Sequence, residues 1–367
     1  MPFTRRLMVL GACLATLLAA TPLRAQERVV NVFNWNDYID PYMVQRFTRE
    51  TGIRVRYDVF DSLETLEGRL SAGRSGYDIV VPTNEPTFSR LARAGAFRPL
   101  DRSLIPNLAN LDPELQRQVA TSDPGNRFGV LYLWGTIGLG VNAERVRALA
   151  PDAPLGSLAL LMDPRHARRI ARCGITMMDS AIDVIPTVLH YLGKDPNSIE
   201  AADLRAVEQA LLAIRPHIRN FSTGGAIEAL ATGQSCLAFA YSGDVLQAAS
   251  RAEEANRGVE VRYVIPEEGA QLWFDLLAIP ADAPNPAGAH AFIDFVLQPE
   301  VMANITNHVG YPNGVPASRP LVEPEVANDP AVFPDAALRA RFFTIGPVPQ
   351  AAERARSRMW ARFKAGR

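Results

Sequence analysis

Three short stretches of the chain set aromatic rings beside a carboxylate. Trp35 and Tyr38 flank Asp37, Tyr241 stands three residues before Asp244, and Trp273 stands two before Asp275. A further ring, Tyr311, lies in a Gly-Tyr-Pro-Asn turn. Ring faces attract ammonium groups by roughly 0.5–2 kcal/mol each. A carboxylate accepting from an ammonium adds about 1.5–3 kcal/mol. A set rich in rings and acids and poor in lysine and arginine suits an organic cation. Each pair alone reads equally well as an interior aromatic beside a turn acid. Their shared bias is what points to a ligand.

Other chemistry finds little support. The chain has no HExxH, no P-loop and no GxSxG. Gly138-Leu139-Gly140 lacks the third glycine of a dinucleotide fingerprint and reads as strand and turn. Ser222-Thr223-Gly224-Gly225 offers backbone amides to an anion, and reads as well as a plain loop. His166, His190, His217, His290 and His308 are scattered without metal-ligand spacing. No metal or cofactor is implied. An enzyme stays open because catalytic groups meet in space, not in sequence.

The elements that must position these residues alternate between two periods. Residues 29–35 read as a strand. Asp40-Pro41 is an N-cap followed by proline at the first helical position, with Met43 and Phe47 on the inner face and Gly52 at the end. Ile53, Val55, Tyr57 and Val59 alternate as a second strand. Leu63, Leu66 and Leu70 mark a helix, and residues 77–81 a buried strand closed by Pro82. Later strands are expected at 174–178, 237–241, 259–265 and 273–279. Helices are expected at 183–192, through Leu204, Val207, Leu211 and Ile214, through Phe292, Ile293 and Val296, and at 350–364. This alternation belongs to an α/β protein with sheets covered by helices.

The chain has 367 residues, 48% of them hydrophobic, which is enough for two domains. Lys+Arg total 38 and Asp+Glu 39, a balance that excludes a basic nucleic-acid binder. Arg5 and Arg6 precede an apolar run at 7–20 and a small residue, Ala25, as in a secretory signal peptide cut after residue 25. The run is shorter than the ~20 residues of a spanning helix. Cys13 sits in a Leu-Gly-Ala-Cys tetrad like a lipidation site, with a short apolar core before it. Removing residues 1–25 leaves 35 basic against 39 acidic residues, a charge of -4. It also leaves Cys173 and Cys236 as a pair. In an oxidising compartment an even pair tends to bridge, two buried free thiols being the alternative.

At these residues the chain resembles the periplasmic substrate-binding proteins of bacterial polyamine ABC transporters, most of all the putrescine-binding type. The resemblance runs through NWNDYI at 34–39, YDIVVP at 77–82, NLDPE at 110–114, YLGKDPNS at 191–198, SGDV at 242–245, IPEEGA at 265–270, Asp275 and HVGYPN at 308–313. It implies a two-lobed periplasmic-binding-protein fold of type II, with two mixed sheets and an interlobe cleft. Residues 26–132 and 256–304 would form one lobe, and 133–255 and 305–367 the other. It implies a monomer that closes on a polyamine and delivers it to an inner-membrane ABC permease, with no nucleic-acid partner and no catalysis. By position, Trp35 stacks on the methylene chain, and Asn36, Asp37, Tyr38 and Thr83 line one wall. Asp244 and Asp275 take the amines. Tyr241, Trp273 and Tyr311 supply the other walls, and Asp183 faces the far amine. The family also carries a bridge where Cys173 and Cys236 stand.

Departures from that pattern are specific. Asp183 stands for a glutamate, Tyr241 for a tryptophan, Trp273 for a phenylalanine and Asn36 for a serine. The turn Thr83-Asn84-Glu85-Pro86 is one residue longer and adds the acid Glu85. These changes imply room for a longer or branched cation. The nearest rival in the same class is a binding protein for another organic cation or an amino acid, and readings from other classes are a cysteine-nucleophile enzyme on the same fold and a receptor that feeds a chemosensor.

Overall fold

The computed structural model describes residues 28–366, so the expected signal peptide and Cys13 lie outside the described residues. Nine strands make the frame: β1 (Val29–Trp35), β2 (Arg54–Phe60), β3 (Ile79–Val80), β4 (Gly129–Val141), β5 (Ile175–Met177), β6 (Asn220–Phe221), β7 (Leu237–Tyr241), β8 (Arg262–Val264) and β9 (Leu272–Ala278). They follow one hydrogen-bonded path, β2-β1-β3-β9-β4-β7-β5-β6, with β8 also paired to β4. The pairing is mixed: β1 is parallel to β2 and β3, while β9 is antiparallel to β3 and β4.

β4 holds the path together. From Gly129 to Thr136 it pairs with β9, and from Ile137 to Val141 with β7 and β8. All thirteen of its residues are buried. Because both faces are covered, it lacks the period-2 signature of a half-exposed strand. Its glycines fit the neighbours. A Cβ on Gly135 would lie 2.6 Å from the Trp273 ring, so glycine is what leaves room for that indole. Gly138-Leu139-Gly140 falls inside β4 with no turn, its glycines crowded by Tyr263 and by Leu230 and Val245.

Local sequence explains most of the elements seen. The helix Pro41–Thr51 has Asp40 as N-cap accepting from the Tyr42 amide, and Gly52 as its left-handed C-cap. Some expected elements are shorter. The 259–265 alternation yields only Arg262–Val264, between the positive-φ turn at Gly258 and Pro266. The 77–81 strand pairs only at Ile79–Val80. The helix expected at 183–192 runs instead from Ala181 to Tyr191, so Asp183 sits in its first turn. Cys173 and Cys236 are joined, their Cα atoms 5.7 Å apart. The bridge sits at the base of the parallel neighbours β5 and β7, where Ile175 pairs with Leu237. Closing a loop of this sequence separation, 63, contributes about 4 kcal/mol in the chain-entropy model.

Candidate functional site

The switch of partners along β4 gathers the ring-and-acid residues. Gly135 of β4 faces Trp273 and Ile137 faces Tyr241, so the start of β9 and the end of β7 meet at mid-strand. Thr83, just past β3, bridges to Asp275 of β9 and brings the end of the β1 side to the same place. Strand ends at a change of topology form the crevice where α/β proteins bind ligands. Here they enclose a cavity of about 350 Å³. All eleven residues singled out from the sequence line it: Trp35, Asn36, Asp37 and Tyr38 from the end of β1, Thr83, Asp183, Tyr241, Asp244, Trp273, Asp275 and Tyr311.

The rings form a connected wall. Tyr241 meets Trp273 edge-on at 5.6 Å between centroids, Trp273 meets Tyr311 at 5.3 Å, and Tyr311 meets Tyr38 at 5.4 Å. Trp35 packs on Phe60 at 4.5 Å. The turn carrying Tyr311 is pinned to β4, where the Trp134 amide and indole donate to the carbonyls of Pro312 and Asn313. Gly243 accommodates the Tyr311 ring, since a Cβ there would fall 2.3 Å from it. The Ser-Gly-Asp sequence thus lays a ring over a helix start and presents Asp244 beside it.

Each acid has a distinct environment. Asp183 is buried and accepts from Ser180 Oγ at 2.6 Å, Tyr241 OH at 2.9 Å and Gln271 Nε2 at 2.8 Å. Burial pushes its carboxyl up, and these neutral donors pull it back. Asp275, 4% exposed, accepts from Thr83 Oγ1 at 2.6 Å. Burial raises its pKa to about 7 against the pull of Thr83 and Tyr38, and the charge of Asp183 adds to the rise. The Tyr38 hydroxyl is itself buried and close enough to Asp275 to sense its charge. Asp244 is half-buried and accepts from Tyr311 OH at 2.8 Å, while its own amide donates to that oxygen. Burial raises its pKa to about 6. Asp37, in the left-handed region at φ 50°, pairs with Arg251 at 3.1 Å at the exposed rim.

The cavity has further members. Phe60, Leu63, Ile182 and Ile227 add apolar wall, Thr223 and Gly224 add a polar edge, and Asp61 and Glu85 add acids. Glu85 was visible in the sequence as an extra acid, whereas Ile182 was not singled out. Phe60 and Ile227 carried no signal beyond ordinary core patterning. Ser222 Oγ accepts from the Gly225 amide and so caps a turn. The decisive feature is electrostatic. Six carboxylate side chains line the cavity, and no lysine, arginine or histidine does so among the described residues. Among those residues no helix is long and apolar enough to cross a membrane.

A family model for bacterial extracellular solute-binding proteins matches residues 42–334. The chain belongs to that family. The solute-binding protein is 43% identical over 360 residues to the putrescine-binding periplasmic protein SpuD of Pseudomonas aeruginosa, spanning 98% of both chains. It is also 43% identical over 362 residues to the putrescine-binding periplasmic protein PotF of Escherichia coli, spanning 98% of this chain and 97% of the other. Among solved structures it matches the spermidine/putrescine ABC transporter substrate-binding protein PotD of Streptococcus pneumoniae. That match has a TM-score of 0.77 and 28% identity, and covers 92% of this chain and 99% of the other. The α/β fold of the solute-binding protein, with its mixed strand pairing, is thus that of known transport receptors.

Proposed function

We propose that this protein is a periplasmic receptor that captures a polyamine in the β4 cavity and hands it to an inner-membrane ABC permease. The observation that carries the reading is a cavity walled by rings and acids with no cation of its own. The names of its relatives, putrescine-binding and spermidine/putrescine-binding, support the same ligand class. A protonated diamine of the putrescine type pairs with two of the buried acids. One ammonium meets Asp244, another meets Asp275, and the methylenes lie along Trp35, Trp273 and Tyr241. A monoamine leaves one buried acid unpaired, at a cost of roughly 3–5 kcal/mol, and this is the basis of selectivity.

The two sets of pairings on β4 are best read as the two sheets of two lobes, divided close to the expected 26–132 with 256–304 and 133–255 with 305–367, except that residues 256–264 go with the second lobe. β8 pairs with the half of β4 that belongs to the second lobe, so the return crossing falls between β8 and β9. Asp37 and Arg251 then form an ion pair across the cleft. The receptor acts as a monomer, without cofactor, nucleic acid or catalysis. The Cys173–Cys236 bridge supports a binder over a cysteine-nucleophile enzyme.

A thermal-shift panel of putrescine, cadaverine, agmatine, spermidine and spermine tests the ligand class. At a concentration 100-fold above Kd, binding adds about 2.7 kcal/mol of stability, which raises Tm by several degrees. No shift with any of the five ends the polyamine reading. In the same samples small-angle scattering is expected to show compaction at saturating ligand. An unchanged radius of gyration would refute closure of the lobes.

A further inference from the structure

The six acids of the cavity are not equivalent, and sorting them by what already neutralises them leaves a remainder. Asp37 pairs with Arg251. Asp61 is exposed to water. Asp183 is held by three neutral donors. Asp244 and Asp275 accept only from hydroxyls and meet no cation at ion-pair distance. Glu85 is the sixth. It is 4% exposed, and its Oε2 accepts from Ser89 Oγ at 2.6 Å. Arg93, an exposed side chain, acts on it only at longer range.

Glu85 is fixed on the cavity wall. Thr83 Oγ1 donates to Asp275, and Asn84 Oδ1 accepts from the Phe274 amide at 3.1 Å, so the loop before Glu85 is fastened to β9 at two successive residues. A buried carboxylate with no cation is unfavourable unless a ligand brings one. A diamine compensates Asp244 and Asp275 and leaves two buried acids without a cation, Asp183, which three neutral donors hold, and Glu85, which has only the hydroxyls of Ser89 and Ser122. We propose that Glu85 is a specificity-determining residue that makes this cavity prefer a polyamine with a third protonated nitrogen, a triamine, over a diamine. This rests on the polyamine reading above and narrows it.

Calorimetric titration of wild type and Glu85→Gln with putrescine and spermidine tests the proposal. Glutamine is isosteric and still accepts from Ser89, so the unliganded fold is expected to keep its Tm. Wild type is expected to bind spermidine at least about tenfold more tightly than putrescine, the scale of one charge-assisted hydrogen bond. Glu85→Gln is expected to lose that margin by weakening spermidine alone, while Glu85→Asp, which keeps the charge, retains part of it. Equal weakening of both amines, or unchanged spermidine affinity in Glu85→Gln, overturns the role of Glu85. Wild-type protein that binds neither amine overturns the polyamine reading itself, and this inference with it.

Discussion

Asp275→Asn and Asp244→Asn each weaken polyamine binding by roughly a hundredfold or more, and neither unfolds the protein. Removing one partner of a buried ion pair costs about 3–5 kcal/mol because the other charge is left unpaired, and each 1.4 kcal/mol is about a factor of ten. The local hydrogen bonds survive the change. Asparagine Oδ1 at 275 still accepts from Thr83 Oγ1, and at 244 it still accepts from Tyr311 OH. Without ligand the neutral amide even relieves strain, since burial disfavours the carboxylate at both positions. The expected signature is therefore a large loss of affinity by calorimetry with an unliganded Tm that is equal or higher. Wild-type affinity in both variants would remove these acids from the binding role. The larger effect is expected at Asp275, because it is almost fully buried while Asp244 is half-buried.

How much of this was legible before the structure depended on which side of an element faced water. The helix after Asp40-Pro41 could be read because its caps and its inner Met43 and Phe47 follow local rules. The eleven cavity-lining residues could be singled out because the ring–acid pairs share a bias, and because the family resemblance added Asn36, Thr83 and Asp183. All of them line one cavity. β4 was not legible, although it organises the molecule. Buried on both faces and broken by Gly135, Gly138 and Gly140, it shows no alternation, although Val130, Tyr132, Trp134, Ile137 and Val141 favour a strand. Its glycines make sense only beside Trp273, Tyr263 and Val245, which are distant in sequence. The 259–265 alternation erred the other way. It has a strand's pattern, but only three of its residues find a partner on β4. Sequence shows what a segment prefers; pairing shows what it is offered. The state of Asp183 follows the same logic, since its three donors come from positions 180, 241 and 271.

Polyamine affinity is expected to rise with pH between about 5 and 7.5, while the stability of the unliganded protein falls over the same range. Burial raises Asp275 to about 7 and Asp244 to about 6. In the unfolded chain both titrate near 3.9. Between those limits the folded protein holds more protons than the unfolded one, so its stability declines as pH rises. The contribution is fully present below about pH 4 and is lost as pH climbs through 7. For Asp275 a shift of about three units corresponds to about 4 kcal/mol. The groups facing Asp275 are Thr83, Tyr38 and Asp183. Those facing Asp244 are Tyr311, Asp37 and Arg251, and the last of these tempers its rise. The ligand's ammonium groups resemble lysine, which titrates near 10.4, so the ligand does not change charge in this window. It binds the carboxylates and must therefore expel their protons. Near pH 6 that amounts to roughly one proton from Asp275 and about half of one from Asp244. Calorimetry in buffers of different ionisation enthalpy reads this release directly. Heats that do not depend on the buffer at pH 6, together with equal affinities at pH 5.5 and 8, would show that the acids are already ionised in the empty cavity. The ligand thus supplies the counter-charge that the fold withholds, and the stabilisation it brings should be largest where the empty protein is weakest, above pH 7.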